Sequence, residues 1–250
     1  MSGRETPAAD IPVFDMPPAF EEETRVSPSP GPVARSVLDG GSAQGEQLRL
    51  LATRLRALGR DKRLRRIGIV GATAGEGAST VALGLAEALA SERRGRVLLL
   101  ELDLDRPALD LALGLGPPEV GLREYLDGKG ETPVVRRLSG GFWLLSAGDS
   151  PPRRRDLFSS PRLEALLKGA DRVFDRVVVD CPPLVGTADA TPLPDLFDGF
   201  VFVVRARHAA RETVREAAAR LRPGRVIGLV LNARRHLLPR RPGRGGGRAA

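Results

Sequence analysis

The chain has 250 residues, 42% of them hydrophobic, which suffices for one sizeable core, and its formal net charge is +8. Its single cysteine, Cys181, excludes an internal disulfide. Residues 1–19 carry acids and prolines where a signal peptide needs a basic start and an apolar run. No apolar stretch approaches the roughly 20 residues of a membrane-spanning helix, so a cytoplasmic protein is expected, with any membrane association peripheral.

The charge is unevenly placed. Residues 1–47 hold eight acids against three arginines, residues 48–66 hold eight basic residues against one acid, and residues 234–250 hold six arginines and no acid. Residues 1–45 are rich in Pro, Gly, Ser and Glu without apolar periodicity, and the expectation is a disordered tether. In the segment 46–66, Leu48, Leu51, Leu55 and Leu58 recur at three- and four-residue steps with arginines between them, which predicts a basic amphipathic helix and a link. Such basic segments suit anionic lipid or nucleic acid; a solvated basic face is the plainer reading, with weak lipid attraction preferred to nucleic acid.

Six short apolar runs follow: Ile67–Val70, Val97–Leu100, Phe142–Leu145, Val177–Val179, Phe200–Val204 and Val226–Leu231. Continuous runs of this kind suit strands buried on both faces. Helical patterns lie between them at Thr80–Ser91, Pro161–Leu167 and Arg211–Leu221. The alternation predicts an α/β fold over residues 67–235, a mostly parallel sheet with helices on both faces. Residues 236–250, rich in Gly, Pro and Arg, are expected to be a disordered basic tail.

The first predicted strand runs into Gly71-Ala-Thr-Ala-Gly-Glu-Gly-Ala-Ser-Thr80 and then a helix, the context of a phosphate-binding loop. Its glycines let successive backbone N–H groups turn inward as an anion nest, and the helix starting near Ser79 adds the positive end of its dipole. Ser79 is placed to hold a metal ion on the phosphates. Ala78 stands where the pattern expects lysine, and Ala72 replaces its first glycine. Asp103 and Asp180 lie at or just past strand ends, where open parallel sheets place their binding crevice, and a carboxylate there can hold Mg²⁺ or orient an attacking group. Glu101 stands close to Asp103, with a longer side chain. His208 and His236 have no metal-ligand partners at useful spacing, and Cys181 reads as a small buried residue.

Gly75-Glu-Gly-Ala-Ser-Thr80 resembles the Gly-Glu-Gly-Lys-Ser-Thr loop of the bacterial tyrosine kinases of capsule and exopolysaccharide export, relatives of the partition ATPases. Leu99-Leu-Glu-Leu-Asp-Leu-Asp-Arg-Pro107 resembles their second acidic motif, with Glu101 where the family has aspartate. Val177-Val-Val-Asp-Cys-Pro-Pro183 resembles their strand-end aspartate motif, and Gly228-Leu-Val-Leu-Asn232 the last strand, whose asparagine contacts the nucleotide base in the wider superfamily.

The resemblance implies ATP or ADP with Mg²⁺ as cofactors. It implies Gly75, Glu76, Gly77, Ala78, Ser79, Thr80 and Asn232 at the nucleotide, Ser79, Asp103 and Asp180 at the metal, and Asp103 with Glu101 in catalysis. It also implies a membrane polysaccharide co-polymerase as partner, recruitment to the inner membrane and a homo-oligomer. The missing lysine and the lack of a tyrosine-rich tail, Tyr125 being the only tyrosine, point to a regulatory or scaffolding member with weak or no catalysis. An active ATP-dependent tyrosine kinase, with Arg106 as substitute cation, and a partition-like positioning ATPase are the alternatives.

Overall fold

Five of the six apolar runs become strands that present side chains to two cores at once, whereas the last, Val226–Leu231, forms an edge strand that leaves Val226, Leu229 and Leu231 exposed. A computed structural model describes residues 20–61, 64–91, 95–149, 160–187 and 193–232. The elements are β1 (Glu21–Val26), α1 (Pro32–Leu38), α2 (Ala43–Asp61), β2 (Arg66–Gly71), α3 (Ala78–Ala90), β3 (Val97–Glu101), α4 (Leu109–Leu113), α5 (Leu122–Leu126), β4 (Val134–Leu138) and β5 (Trp143–Leu145). They continue with α6 (Pro161–Val173), β6 (Arg176–Asp180), α7 (Leu193–Leu196), β7 (Gly199–Arg205), α8 (Arg211–Arg220) and β8 (Val226–Asn232).

The strands form one eight-stranded sheet in the order β1-β4-β5-β3-β6-β2-β7-β8. Every neighbouring pair is parallel except β4 and β5. Alternation along the central strands divides the interior between the two faces. Val97, Leu99, Ile67, Ile69 and Val201 pack with α1, α2 and α3 on one face. Leu98, Leu100, Val177, Val179 and Phe200 pack with α6 and α8 on the other.

The helices carry matching stripes. Leu48, Ala52 and Leu55 of α2 are buried against α3. Helix α6 buries Leu163, Leu166, Leu167, Ala170 and Val173, and starts with Pro161 in the first turn, where the missing N–H costs nothing. Among the described residues no helix is long and apolar enough to cross a membrane.

Residues 20–45 depart from the expectation of a disordered segment. They contain β1, α1 and the start of α2, and β1 pairs in parallel with β4 at the sheet edge. The cause is a few apolar anchors hidden in a polar average. Phe20 meets Phe174 edge-on at 5.8 Å, Phe174 also meets Trp143 at 5.7 Å, and Ala34 and Val37 of α1 are buried. Residues 1–19 and the basic tail 236–250 lie outside the described residues. Strand β4 is a further addition to the expected set, because Arg136 and Arg137 interrupt its apolar run.

Arg136 is buried, only 4% exposed. Its guanidinium donates to Asp110 Oδ1, to Ser146 Oγ at 2.7 Å and to the Gly116 carbonyl at 2.6 Å, which ties β4 to α4 and to the exit of β5. A buried cation stripped of its counter-ion is far worse than either a complete pair or an apolar substitute. Asp110→Ala should therefore lower the unfolding free energy by about 3 kcal/mol, measured by urea denaturation. A loss below about 1 kcal/mol would mean that the neutral partners satisfy Arg136 by themselves.

Candidate functional site

Strand β2 ends at Gly71 in the middle of the sheet, and the chain must reverse there to start α3 on the face above. Gly75 and Gly77 make this possible with φ of 83° and 95°, the left-handed region that side chains resist. A Cβ on Gly77 would also lie 2.2 Å from Asn232 Nδ2, so the position is closed twice over.

The loop carbonyls find donors on the surrounding elements. Gly71 and Ala72 accept from the backbone N–H groups of Leu184 and Val185 at 3.1 and 3.0 Å, and Gly77 accepts from Val81 at 3.0 Å. Between them, Ala74, Gly75 and Glu76 accept from His208 Nε2 at 2.8 Å, Arg205 Nη1 at 3.3 Å and Asn232 Nδ2 at 2.9 Å. Facing a carbonyl, His208 Nε2 must carry the hydrogen. The Glu76 side chain, 1% exposed, is held by Thr73 Oγ1 at 3.1 Å and by the Arg205 N–H. By contrast, among the described residues no backbone N–H from Thr73 to Ser79 has an acceptor. Carbonyls satisfied and N–H groups open, at the first turn of a 13-residue helix, is the arrangement that binds an anion such as phosphate.

The acids converge beside this nest. Register sets Asp180 of β6 opposite Ile69 of β2 and Glu101 of β3, and the N–H groups of Leu102 and Asp103 donate to the Asp180 carbonyl at 2.8 and 3.2 Å. Both Asp180 carboxylate oxygens and Oδ1 of Asp103 are buried without a hydrogen-bond partner. Burial pushes the Asp180 carboxyl well above the usual range. The Ser79 hydroxyl is near enough to oppose this without satisfying the carboxylate, and Glu101 and Asp103 add to it. Asp103 is also raised by burial, with Arg106 opposing, its Nε 3.7 Å from Oδ2.

Mg²⁺ is commonly held by one or two carboxylates together with phosphate oxygens and water. The orphaned Asp180 carboxylate, the free oxygen of Asp103 and a serine beside an anion nest fit a magnesium nucleotide. Among the described residues no group of three or more His, Cys, Asp or Glu is placed to hold a metal by itself.

The other sequence-predicted residues fall into place unevenly. Ala78, Ser79 and Thr80 form the first turn of α3. Glu101 lies beside Asp180 but is engaged elsewhere, its Oε1 accepting from the N–H groups of Ala108 and Leu109 at 2.5 and 2.8 Å and its Oε2 from Ala147 at 3.0 Å. It anchors the loop that carries Asp103. Asn232 spends an amide hydrogen on the loop itself. Arg106, the candidate substitute for the lysine, is paired with Asp103. Arg205 and His208 join the site without any local pattern pointing to them. The one signal that reaches them is topological, since the residues leaving β7 exit at the same edge as those leaving β2.

Fold and site together define a P-loop nucleotide-fold protein of the partition-ATPase type. No family model matches the chain. It is 30% identical over 198 residues to the tyrosine-protein kinase YwqD of Bacillus subtilis, covering 78% of this chain and 83% of YwqD. It is 36% identical over 124 residues to the tyrosine-protein kinase etk of Escherichia coli, covering 49% of this chain and 17% of etk. The kinase domain of Escherichia coli ETK superposes with a TM-score of 0.72 at 28% identity, over 80% of this chain and 79% of that domain. The septum site-determining protein MinD from Pyrococcus horikoshii, solved with Mg-ADP, shares the fold at a TM-score of 0.52 and 19% identity, over 66% of this chain and 67% of MinD. The chain belongs to the bacterial tyrosine kinase family.

Asp180 gives a test with a definite sign. Its raised folded pKa means that the folded state keeps a proton which the unfolded chain releases above about pH 4. Stability from this group is therefore present below the unfolded pKa and is lost as pH rises through the folded one. Asp180→Asn should raise the thermal midpoint at pH 8 without Mg²⁺ by roughly 3 °C or more, taking about 2–4 °C per kcal/mol for a chain of this size. The gain should shrink towards pH 4. A lower midpoint at pH 8 would show that the carboxylate is satisfied in a way the buried geometry does not reveal.

Proposed function

We propose that this chain is a nucleotide-binding, tyrosine-kinase-like regulator or scaffold of capsule or exopolysaccharide production, with weak or no phosphoryl transfer. The reading rests on one observation: the loop keeps its nest while the residue at the lysine position is Ala78, a methyl group at the mouth of the site. Backbone N–H groups would hold the nucleotide phosphates, and the α3 dipole would favour their charge. Ser79, Asp180 and Asp103 would hold Mg²⁺, which would neutralise charge on the phosphates. Transfer depends mainly on positioning and charge neutralisation, and loss of one cation from such a site can cost about 10³–10⁵ in rate.

Tyr125, the only tyrosine in the sequence, is partly buried on α5. Its hydroxyl donates to the Arg162 carbonyl at 3.4 Å and its ring lies under the Arg162 guanidinium at 5.1 Å. An acceptor held this way supports a chain that does not feed its own phosphorylation. Family membership further supports a membrane co-polymerase as partner, self-association, and recruitment to the inner face of the membrane from the cytoplasm.

The test is calorimetric titration with Mg-ADP and Mg-ATP, together with ATP turnover, before and after Ala78→Lys. The expected result is weak binding by the native chain, binding about tenfold tighter in the variant, and turnover that appears or rises with the lysine. Rapid turnover by the native chain, or abundant phosphotyrosine on it by mass spectrometry, would establish the active-kinase alternative instead. Cell fractionation with and without the neighbouring co-polymerase checks recruitment, which predicts membrane association only in its presence.

A further inference from the structure

An anion nest without lysine lacks both a fixed positive charge and a cationic side chain on the loop. The structure brings a cation to the loop from another element. Arg205 closes β7 and is fastened to the loop twice, by its own N–H to the Glu76 carboxylate and by Nη1 to the Gly75 carbonyl at 3.3 Å. The chain then doubles back. The Ala206 N–H donates to the Asn232 carbonyl at 3.0 Å, the His208 N–H donates to the Arg205 carbonyl at 3.2 Å, and His208 Nε2 returns to the Ala74 carbonyl.

At the apex of this return is Arg207 with φ of 62°, the one residue other than glycine with a positive φ among the described residues. Strain of this kind persists where the surroundings hold it, and it concentrates at ligand sites. Here it folds the β7–α8 connection onto the outer side of the phosphate loop. Arg205 remains exposed, and a guanidinium has five N–H donors, of which the Gly75 carbonyl uses only part.

We propose that Arg205 takes over the charge of the absent P-loop lysine, supplying positive potential to a bound nucleoside di- or triphosphate. Its two fastenings to the loop hold it in place, with His208 and Asn232 on the two neighbouring carbonyls. Arg106 does not fill this role because its charge is directed at Asp103. The inference rests on the nucleotide-binding reading above.

The experiment is a double-mutant cycle on the full chain, with Mg-ADP affinity measured by calorimetry for the native protein, Arg205→Gln, Ala78→Lys and the double variant. Arg205→Gln should weaken Mg-ADP about tenfold in the native background and no more than about twofold where Ala78→Lys has restored a charge, because one cation makes the other redundant. Arg205→Lys should retain most of the affinity, and the native affinity should fall with salt more steeply than that of Arg205→Gln. An equal loss in both backgrounds, or none in either, overturns the inference while leaving nucleotide binding intact. Binding by the Ala78→Lys variant alone also overturns it, because Arg205 would then supply nothing. No binding by any of the four proteins overturns the nucleotide reading itself. Should Arg205→Gln fail to fold, the Arg205→Lys variant and the salt dependence decide the question on the same terms.

Discussion

Three carboxylates stand side by side because β3 and β6 pair in a register that sets Glu101 opposite Asp180 and lays the next residues, through Asp103, along the same strand end. Like charges in a buried place repel, and each must be relieved or protonated. The three meet that demand differently. Glu101 takes three backbone N–H groups, Asp103 pairs with Arg106 three residues on, and Asp180 has only a nearby hydroxyl. The gradient has a purpose in the architecture. The fully satisfied acid anchors the loop carrying the second, and the least satisfied one sits nearest the phosphate nest, where a cation would offset most.

The loop separates two properties that a lysine ordinarily supplies together. Shape is secured from outside by donors at the ends of β6, β7 and β8, with the buried Glu76 carboxylate as the loop's own contribution. Charge is a distinct requirement, and the Ala78 side chain supplies none of it. Phosphate binding by a nest uses the backbone, whereas phosphoryl transfer needs a cation at the reacting oxygens.

Much of this architecture is legible in the amino-acid sequence. The six apolar runs form β2, β3, β5, β6, β7 and β8 within a residue or two; the first five are buried on both faces and leave an unbroken signal, while β8 is apolar although it lies at the edge with Leu229 and Leu231 exposed. The signal fails at the β1–β4 end of the sheet. Strand β4 hides behind Arg136 and Arg137, and β1 and α1 lie in a segment whose polar average conceals Phe20, Ala34 and Val37. At the site, spacing locates the nest and its acids, because those depend on where strands end. The partners of Glu101, Asn232 and Arg205 depend on contacts between chain segments far apart, which no local pattern encodes.

That distance has a consequence for how the protein comes into being. Glu76 is joined to Asn232 across 156 residues, Ala74 to His208 across 134, and Glu76 to Arg205 across 129. Contacts of such long range form late, after the local helices, because the intervening chain must first be ordered. During synthesis the glycine-rich loop and α3 leave the ribosome well before β7 and β8 do. Until those strands dock, the Ala74, Gly75 and Glu76 carbonyls lack their side-chain donors and the nest has no fixed form. The shape of the nest is thereby tied to completion of the last strand, and a nascent or C-terminally clipped chain would not hold it.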